Sequence, residues 1–265
     1  MKGMAGRNTV QQIRRMKGRQ QVVAITAYDT NGARHASEAG VDLILVGDSV
    51  GNAVLGFPST VPVTLDMIVH HSAAVVRAQP KAVVVADLPF AEARYSMDHL
   101  LDSCRRLIQE TGVDAVKLEG GLGIARSVAN LVAAGIPVLG HIGLLPQRIN
   151  DLGSYRRFGK NLDEKERLLA DARALEEAGA FAVVGEMIDP ETAGTIRDAL
   201  SIPLIGIGSG DRCDGQIRVV TDLLGLGSGP VPSFAKVYAD LGKATREALA
   251  AYAADVRSIF GVDPP

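Results

Sequence analysis

The sequence predicts an α/β fold, a single-domain (β/α)8 TIM barrel, and three observations support this fold class. Four times a helical stretch ends in glycine and a short apolar strand follows directly, at Gly40, Gly112, Gly135 and Gly179. Glycine is favoured just past a helix end because that position needs a positive φ. The strands are near-continuous apolar runs, as parallel strands buried on both faces are. Finally, strands and helices alternate along the chain, which is typical of a parallel sheet.

The predicted strands run in order along most of the chain. Seven are clear, at 22–26, 41–47, 82–86, 113–118, 136–140, 180–184 and 203–207, and a weaker eighth lies at 217–221. Eight strands favour a closed barrel, with an open doubly wound sheet as the alternative. Because no linker or low-complexity stretch interrupts residues 1–265, we predict a single domain.

Two segments lie outside the predicted barrel. The basic residues 1–20 contain a short helix capped by Asn8 or Thr9, and we interpret them as an N-terminal helical arm rather than a transit peptide because they are poor in serine. For residues 234–262 we predict one or two amphipathic C-terminal helices, because apolar residues such as Leu241, Leu249 and Tyr252 recur at helical spacing. These helices are candidates for contacts between subunits.

The composition excludes several classes of function. A net charge of −2 offers no field for nucleic acid or anionic membranes, and the absence of Trp argues against stacked single-stranded bases. Cys104 and Cys213 are the only cysteines, too few for a disulfide framework or a thiolate metal site. No apolar run has the length of a membrane span. We therefore expect a cytoplasmic protein.

Five consecutive predicted strands end in ionisable residues. They are Asp48 after the second strand, Asp87 after the third, Lys117 and Glu119 on the fourth, His141 on the fifth and Glu186 on the sixth. Barrel active sites lie at this end of the strands. Several buried carboxylates that face one spot repel each other unless a cation joins them. The pattern therefore predicts an active site that binds a cation.

The residue types also suggest the chemistry of this site. Carboxylates with one histidine and no accessible cysteine suit a hard cation such as Mg²⁺, which leaves coordination positions for a substrate. Such an ion chelates a 2-oxo acid and stabilises the enolate formed when the adjacent carbon loses a proton. Lys117 supplies a fixed positive charge, and either Glu186 or His141 is the candidate base.

Each residue also has a purely structural interpretation. Asp48 is a candidate helix cap, Asp87 a candidate turn residue, and His141 a candidate rim histidine whose hydrogen bonds are satisfied. Lys117 and Glu119, two positions apart on one strand, are a candidate ion pair. Only the occurrence of all these groups on successive strand ends favours function. The glycine-rich loop 206–210 fits either phosphate binding or tight-turn packing.

At these residues the sequence resembles the ketopantoate hydroxymethyltransferase family. The resemblance covers about residues 22–236 and consists of ordered blocks: ITAYD at 25–29, LVGDS at 45–49, STVPVT at 59–64, ADLPF at 86–90, VKLEGG at 116–121, GHIG at 140–143, IGIG at 205–208, DGQ at 214–216 and FAK at 234–236. So many blocks in one order make the match specific. Pro58, Arg156 and Gly185 depart from residues usual in the family.

The resemblance implies an activity and assigns residues to it. It implies transfer of a hydroxymethyl group from 5,10-methylenetetrahydrofolate to 3-methyl-2-oxobutanoate, which gives 2-dehydropantoate, in a large homo-oligomer such as a decamer. It implies Mg²⁺ at Asp48, Asp87 and Glu119, substrate binding by Asp48, Ser49, Asp87 and Lys117, and proton removal by Glu186. We add His141 to the substrate-binding set.

Two other functions remain as alternatives. A Mg²⁺-dependent aldolase or lyase acting on another 2-oxo acid would keep the metal ligands but not depend on folate. Isocitrate-lyase-like enzymes use a cysteine in a Lys-Lys-Cys-Gly-His block, which this chain lacks. The second alternative is a non-catalytic binding protein on the same barrel, against which the intact set of ionisable residues argues.

Overall fold

The computed structural model describes residues 6–227 and 231–259, and within them it forms a closed barrel of eight strands in the order β1 to β8. Each strand from β1 to β7 pairs in parallel with the next one along the chain. The strands are β1 Val22–Thr26, β2 Leu43–Val46, β3 Val83–Asp87, β4 Ala115–Glu119, β5 Val138–Gly143, β6 Ala182–Glu186, β7 Leu204–Ile207 and β8 Gly215–Arg218. The predicted (β/α)8 barrel is confirmed.

Helices precede, separate and follow the strands along the chain. They are α1 Val10–Arg15, α2 Thr30–Glu38, α3 Val50–Ala53, α4 Leu65–Arg77, α5 Met97–Arg106, α6 Ala125–Ala133, α7 Ile149–Leu152, α8 Leu162–Glu177, α9 Pro190–Ala199, α10 Val220–Leu224 and α11 Leu241–Ile259. A π-helical turn at Leu107–Thr111 follows α5 directly, and Gly112 ends it with a φ of 83°. Short 3-10 turns lie at Glu92–Arg94, Leu122–Ile124 and Pro146–Arg148.

The eighth strand overlaps its predicted range of 217–221 only at residues 217 and 218, because it begins and ends earlier. It begins at Gly215, where a Cβ would lie 2.3 Å from the carbonyl oxygen of Val22, so only glycine allows the two chain segments to approach this closely. The β-branched residues at 219–221 suggested a strand, but α10 begins at Val220. The close approach of Gly215 to the backbone of β1 therefore fixes the start of β8, although the apolar residues in the sequence suggested a later strand.

The N-terminal arm contains the predicted helix, and this helix packs on the barrel core. Thr9 caps α1, because its hydroxyl accepts from the backbone N–H of Gln12 while the Gln12 side chain accepts from the backbone N–H of Thr9. Ile13 is fully buried in a cluster with strand residues such as Leu43 and Val83. Residues 1–5 of the predicted arm lie outside the described residues.

The chain divides into two compact units, with the boundary after Ile217. The first contains the core cluster of the barrel and every predicted site residue. In the second, α11 begins only at Leu241, later than the predicted 234, because the Asp240 carboxylate accepts from the backbone N–H of Lys243 and fixes the helix start there. Predicted helix positions 260–262 lie outside the described residues, and the single-domain organisation stays a prediction.

Gly143, the last residue of β5, brings this strand against the end of β6. Its φ is 93°, and an added Cβ would lie 2.2 Å from the carbonyl oxygen of Glu186. The next residue, Leu144, donates its N–H to that same oxygen at 2.8 Å. The absence of a side chain at Gly143 therefore sets the backbone position of Glu186.

We expect Gly143→Ala to lower the free energy of unfolding by about 2–5 kcal/mol, because it combines a positive φ with a backbone clash. Gly153→Ala is the matched control: its φ of 69° is also positive, but nothing lies within 4 Å of the added Cβ, so the cost should be about 1 kcal/mol. Urea unfolding of both variants measures the difference. Equal costs would contradict the close approach of Gly143 to Glu186.

Candidate active site

The predicted ionisable residues lie together at the carboxyl ends of β2 to β6. Asp87, Glu119 and Glu186 are the last residues of their strands, and His141 lies on β5. Asp48 follows β2 by two residues. Register brings them side by side, since Asp87 pairs with Lys117 and Glu119 with His141 across neighbouring strands.

Asp87 and Lys117 form the shortest charged contact of the site. The Lys117 Nζ atom donates to Asp87 Oδ1 at 2.5 Å, and the backbone N–H of Asp48 donates to Asp87 Oδ2 at 3.0 Å. The Lys117 Nζ atom lies 4.0 Å from Glu119 Oε1. The Lys117–Glu119 ion pair considered from the sequence is therefore longer than the Lys117–Asp87 pair. Burial raises the pKa of Asp87 even against the opposing effect of Lys117.

Asp48 is a buried carboxylate and not a helix cap. The N-terminus of α3 has no side-chain cap, and Asp48 Oδ2 instead accepts from the side-chain amide of Gln147 at 2.9 Å. Burial raises the pKa of Asp48 well above its usual value, and the charges of Asp87 and Glu119 raise it further. The capping interpretation of Asp48 is therefore wrong.

His141 lies between two carboxylates. Its Nδ1 is 3.3 Å from Glu119 Oε1 and its Nε2 is 3.3 Å from Glu186 Oε2. Neither contact has good hydrogen-bond geometry, so both are electrostatic contacts. Burial and Lys117 oppose the charged imidazolium, but the two carboxylates outweigh them and raise the pKa of His141 to about 9. For Glu119, burial raises the pKa, but His141 and then Lys117 reverse this effect and lower it.

The raised pKa of His141 predicts how stability depends on pH. Its imidazolium contributes fully below the unfolded value of 6.5, and the contribution is lost as pH rises through about 9. In EDTA, the free energy of unfolding should therefore fall over this range by up to about 3 kcal/mol from His141 alone. The raised pKa values of Asp48 and Asp87 also lower the free energy of unfolding as pH rises.

Urea unfolding of a His141→Gln variant at several pH values isolates this contribution. The fall in stability between pH 6.5 and 9 should be smaller in the variant than in the original protein. His99→Gln is the control, because His99 contacts a single carboxylate, that of Glu92, and its side chain is 46% exposed. An unchanged pH dependence in His141→Gln would contradict the assignment.

Ser49 joins the site through Tyr28, which the sequence analysis did not select. The two hydroxyl groups share a hydrogen bond of 2.9 Å, and Tyr28 follows β1 by two residues. Gly47 allows this arrangement, because an added Cβ there would lie 2.8 Å from the Ser49 hydroxyl and 3.3 Å from Asp87 Oδ2. The position of Tyr28 just after an apolar strand was the available signal.

Gln147 is the second residue that sequence reasoning missed. Its side-chain amide donates to Asp48 Oδ2 and to the Leu88 carbonyl oxygen, both at 2.9 Å, and its backbone N–H donates to Glu119 Oε2 at 3.2 Å. It therefore links three strand ends. No sequence signal identifies Gln147, because it reaches the site from a 3-10 turn after β5.

The remaining candidates have structural roles. The Ser209 hydroxyl in the glycine-rich loop donates to the Gly185 carbonyl oxygen at 2.8 Å and accepts from the Ile188 N–H at 2.9 Å, as tight-turn packing predicts. Cys213 is buried, and burial raises its pKa to about 11. The divergent Arg156 pairs with Glu164 at 2.9 Å and stacks on Phe158.

The donor set fits a hard cation in its chemistry. Asp48, Asp87 and Glu119 are three buried carboxylates. Burial raises the pKa of both aspartates, and at Asp48 the charges of Asp87 and Glu119 raise it further. An added cation would stabilise their ionised forms. Among residues 6–227 and 231–259, no three acidic, histidine or cysteine side chains are arranged as a ready-made metal cluster.

The fold and the site define a class of protein: a (β/α)8 barrel enzyme with acid–base groups at the carboxyl ends of its strands. The sequence model described as Ketopantoate hydroxymethyltransferase matches residues 7–260. The chain therefore belongs to the ketopantoate hydroxymethyltransferase family, and it is an enzyme, a hydroxymethyltransferase. This confirms the resemblance and decides against both alternatives.

Individual relatives agree with this assignment. A 3-methyl-2-oxobutanoate hydroxymethyltransferase of Chloroflexus aurantiacus is 51% identical over 95% of this chain and 89% of its own. One from Pyrobaculum islandicum is also 51% identical, over 91% of this chain and 92% of its own. No helix in the described part of the chain is both long and apolar enough to cross a membrane.

Solved structures share the fold at low sequence identity. A phosphonopyruvate hydrolase in complex with oxalate and Mg²⁺ superposes with a TM-score of 0.60 at 16% identity, over 97% of this chain and 92% of that one. A 2,3-dimethylmalate lyase of the PEP mutase/isocitrate lyase superfamily superposes with a TM-score of 0.59 at 18% identity, over 97% of this chain and 89% of that one. These similarities concern the fold alone.

Proposed function

We propose that the enzyme transfers a hydroxymethyl group from 5,10-methylenetetrahydrofolate to the enolate of 3-methyl-2-oxobutanoate. The product is 2-dehydropantoate, a precursor of pantothenate and coenzyme A. The names of the relatives support the oxo acid as substrate. We also propose a cytoplasmic homo-oligomer such as a decamer, and α11 supports the oligomer because none of its described side chains is buried.

One observation carries the proposed mechanism: Glu186 is the accessible carboxylate of the site. Its side chain is 17% exposed, against 4% for Glu119 and 2% for Asp87. Glu186 can therefore meet a substrate carbon, whereas the buried Asp87 contacts Lys117 and the buried Glu119 contacts His141. In the proposal, Glu186 accepts the proton from C3 of the oxo acid, and C3 then bonds to the methylene carbon of the donor. Both bonds between that carbon and the donor nitrogens break, and water takes the place of nitrogen to give the hydroxyl group. The C3 proton and one proton of the water end on the two nitrogens, which leaves tetrahydrofolate.

The other residues bind and orient the substrate. We propose Asp48, Asp87 and Glu119 as the residues that hold Mg²⁺, the last of them through water. When bound, the ion would act as a Lewis acid that stabilises the enolate. Lys117 places a fixed positive charge beside the oxo acid, and Ser49 donates its hydroxyl to it, oriented by Tyr28. His141 helps to bind the substrate and keeps Glu119 and Glu186 apart by its position between them.

The proposal is tested by mass spectrometry of the products. The enzyme is incubated with 3-methyl-2-oxobutanoate and methylenetetrahydrofolate, first with Mg²⁺ and then with EDTA. We expect 2-dehydropantoate with Mg²⁺ and at least a tenfold lower rate with EDTA. In deuterium oxide without folate, exchange at C3 of the oxo acid reports proton removal alone. Folded, metal-loaded enzyme that yields neither product nor exchange would contradict the proposed reaction.

A further inference from the structure

We propose that a cavity beside Glu119 binds the aromatic, carboxylate-bearing part of the one-carbon donor, with Arg94 and Arg148 as the residues that bind its carboxylates. We call it the donor cavity and define it by Phe90, Arg94, Glu119, Leu145, Gln147 and Arg148. This inference rests on the proposed function, because the donor is taken to be a folate. It assigns to that donor a place and a mode of recognition.

The donor cavity opens directly from the candidate active site. Its volume of about 380 Å³ falls in the range typical of small-molecule sites. Glu119 and Gln147 belong both to the cavity and to the active site, since the Gln147 N–H donates to Glu119. A molecule in the cavity therefore lies next to the reacting groups.

One part of the cavity lining is apolar. Phe90 follows the buried end of β3 by three residues and is 45% exposed. Ala91, Ala93 and Leu145 also line the space. Ala91 adopts a positive φ of 67°, which costs energy for a residue other than glycine and turns the chain at this point. This lining suits the flat ring of an aromatic ligand.

Arg94 presents a cation without a partner. Within the described residues its side chain makes no ion pair or hydrogen bond, although its guanidinium is held against the turn after β4. A Cβ added at Gly120 would lie 3.3 Å from one guanidinium nitrogen of Arg94. A Cβ added at Gly123 would lie 3.5 Å from another nitrogen of the same group. Two glycines thus leave room for Arg94 beside the cavity, and its charge is available to an anion.

Arg148 supplies the second cation. It contacts Asp151, three residues along the chain, but both side chains are more than half exposed, at 57% and 64%. An exposed pair of this kind contributes little to stability, so the guanidinium can turn to a ligand at small cost. The cavity thus combines an inner acidic residue, an apolar wall and two arginines.

This distribution of charge fits one end of a tetrahydrofolate. The aminobenzoyl ring matches the apolar wall, and the glutamate carboxylates match the two arginines. The five-carbon oxo acid lacks an aromatic ring and would leave most of the cavity unfilled. The geometry therefore favours the donor over a second molecule of oxo acid.

Calorimetric titration with two probes tests the inference. Tetrahydrofolate carries the glutamate with its two carboxylates, whereas tetrahydropteroate lacks the glutamate and ends in a single carboxylate directly on the benzoyl ring. The wild-type enzyme should bind tetrahydrofolate more tightly. Arg94→Ala and Arg148→Ala should each raise the Kd for tetrahydrofolate by roughly tenfold and change the Kd for tetrahydropteroate much less. In steady-state assays, the KM for the donor should rise more than the KM for the oxo acid.

Arg105→Ala is the matched control. Arg105 also pairs with an aspartate three residues away, Asp102, and the two side chains are 52% and 58% exposed, but Arg105 does not line the cavity. Its variant should bind both probes as the wild type does. Equal Kd values for tetrahydrofolate in wild type, Arg94→Ala and Arg148→Ala would overturn the inference, as would a wild type that binds no tetrahydrofolate.

These outcomes are separate from failure of the proposed function. A wild type that forms 2-dehydropantoate, together with arginine variants that bind tetrahydrofolate unchanged, leaves the reaction standing and removes only the donor cavity. A wild type that exchanges deuterium at C3 but forms no product from methylenetetrahydrofolate contradicts the folate donor itself.

Discussion

Glu186→Gln is expected to lower kcat by roughly 10²–10⁴-fold, because glutamine has the same shape but cannot accept the C3 proton. Deuterium exchange at C3 should fall by a similar factor, since it reports the same proton transfer. The variant should fold, because Glu186 is the most exposed carboxylate among the strand-end residues. Exchange in Glu186→Gln within threefold of the wild-type rate would sink the assignment of the base.

A second measurement on the same variant tests the geometry. Glu186 is one of two carboxylates that raise the pKa of His141 to about 9, so its neutralisation should lower that pKa, as NMR titration would report. Glu164→Gln is the control for a lost glutamate charge, since the Glu164 side chain is 18% exposed but pairs with Arg156 outside the site. That variant should change neither the exchange rate nor the pKa of His141.

Asp48→Asn is expected to abolish Mg²⁺-dependent turnover while it stabilises the metal-free protein. The pKa of Asp48 is raised by burial and by the neighbouring carboxylates, so its ionised form destabilises the folded state at neutral pH. Asparagine removes that charge and keeps an oxygen that accepts from Gln147. Thermal unfolding in EDTA should therefore show a Tm several degrees higher than that of the wild type.

Calorimetric titration of the same variant with Mg²⁺ supplies the other half of the test. Loss of a proposed ligand should weaken binding by more than roughly 100-fold. Asp42→Asn is the matched control, because Asp42 is also buried, accepts a backbone N–H from Val23, and lies before β2 rather than after it. An Asp48→Asn protein that binds Mg²⁺ normally and is no more stable in EDTA would contradict both the ligand assignment and the electrostatic argument.

The barrel was predictable from the sequence because its elements are marked locally. A glycine past the helix end and a run of apolar residues are both properties of neighbouring residues, and they located β1 to β7 to within a few positions. β8 was misplaced because Gly215 is chosen by its contact with Val22, almost two hundred residues away. The start of α11 was misplaced because the capping residue Asp240 follows a segment with suitable apolar spacing.

The site was predictable to the same extent and for the same reason. Asp48, Asp87, Lys117, Glu119, His141 and Glu186 stand at strand ends, and the barrel brings strand ends together. Tyr28, Gln147 and Arg94 were not identified from the sequence. Gln147 and Arg94 lie in 3-10 turns, and Tyr28 contacts the site through the Ser49 hydroxyl. Their roles depend on side-chain direction, which no spacing in the sequence encodes.

The position of the N-terminal arm has a consequence for how the chain reaches its native state. Lys17 donates to Asp214 Oδ2 at 2.8 Å across a separation of 197 residues, and Asp214 also accepts from Leu204 while its carbonyl oxygen accepts from Val22. The contacts of this N-terminal segment therefore cannot form before the chain just ahead of β8 is in place. Docking of this segment is expected to be a late folding step, slow because its loop-closure entropy is unfavourable.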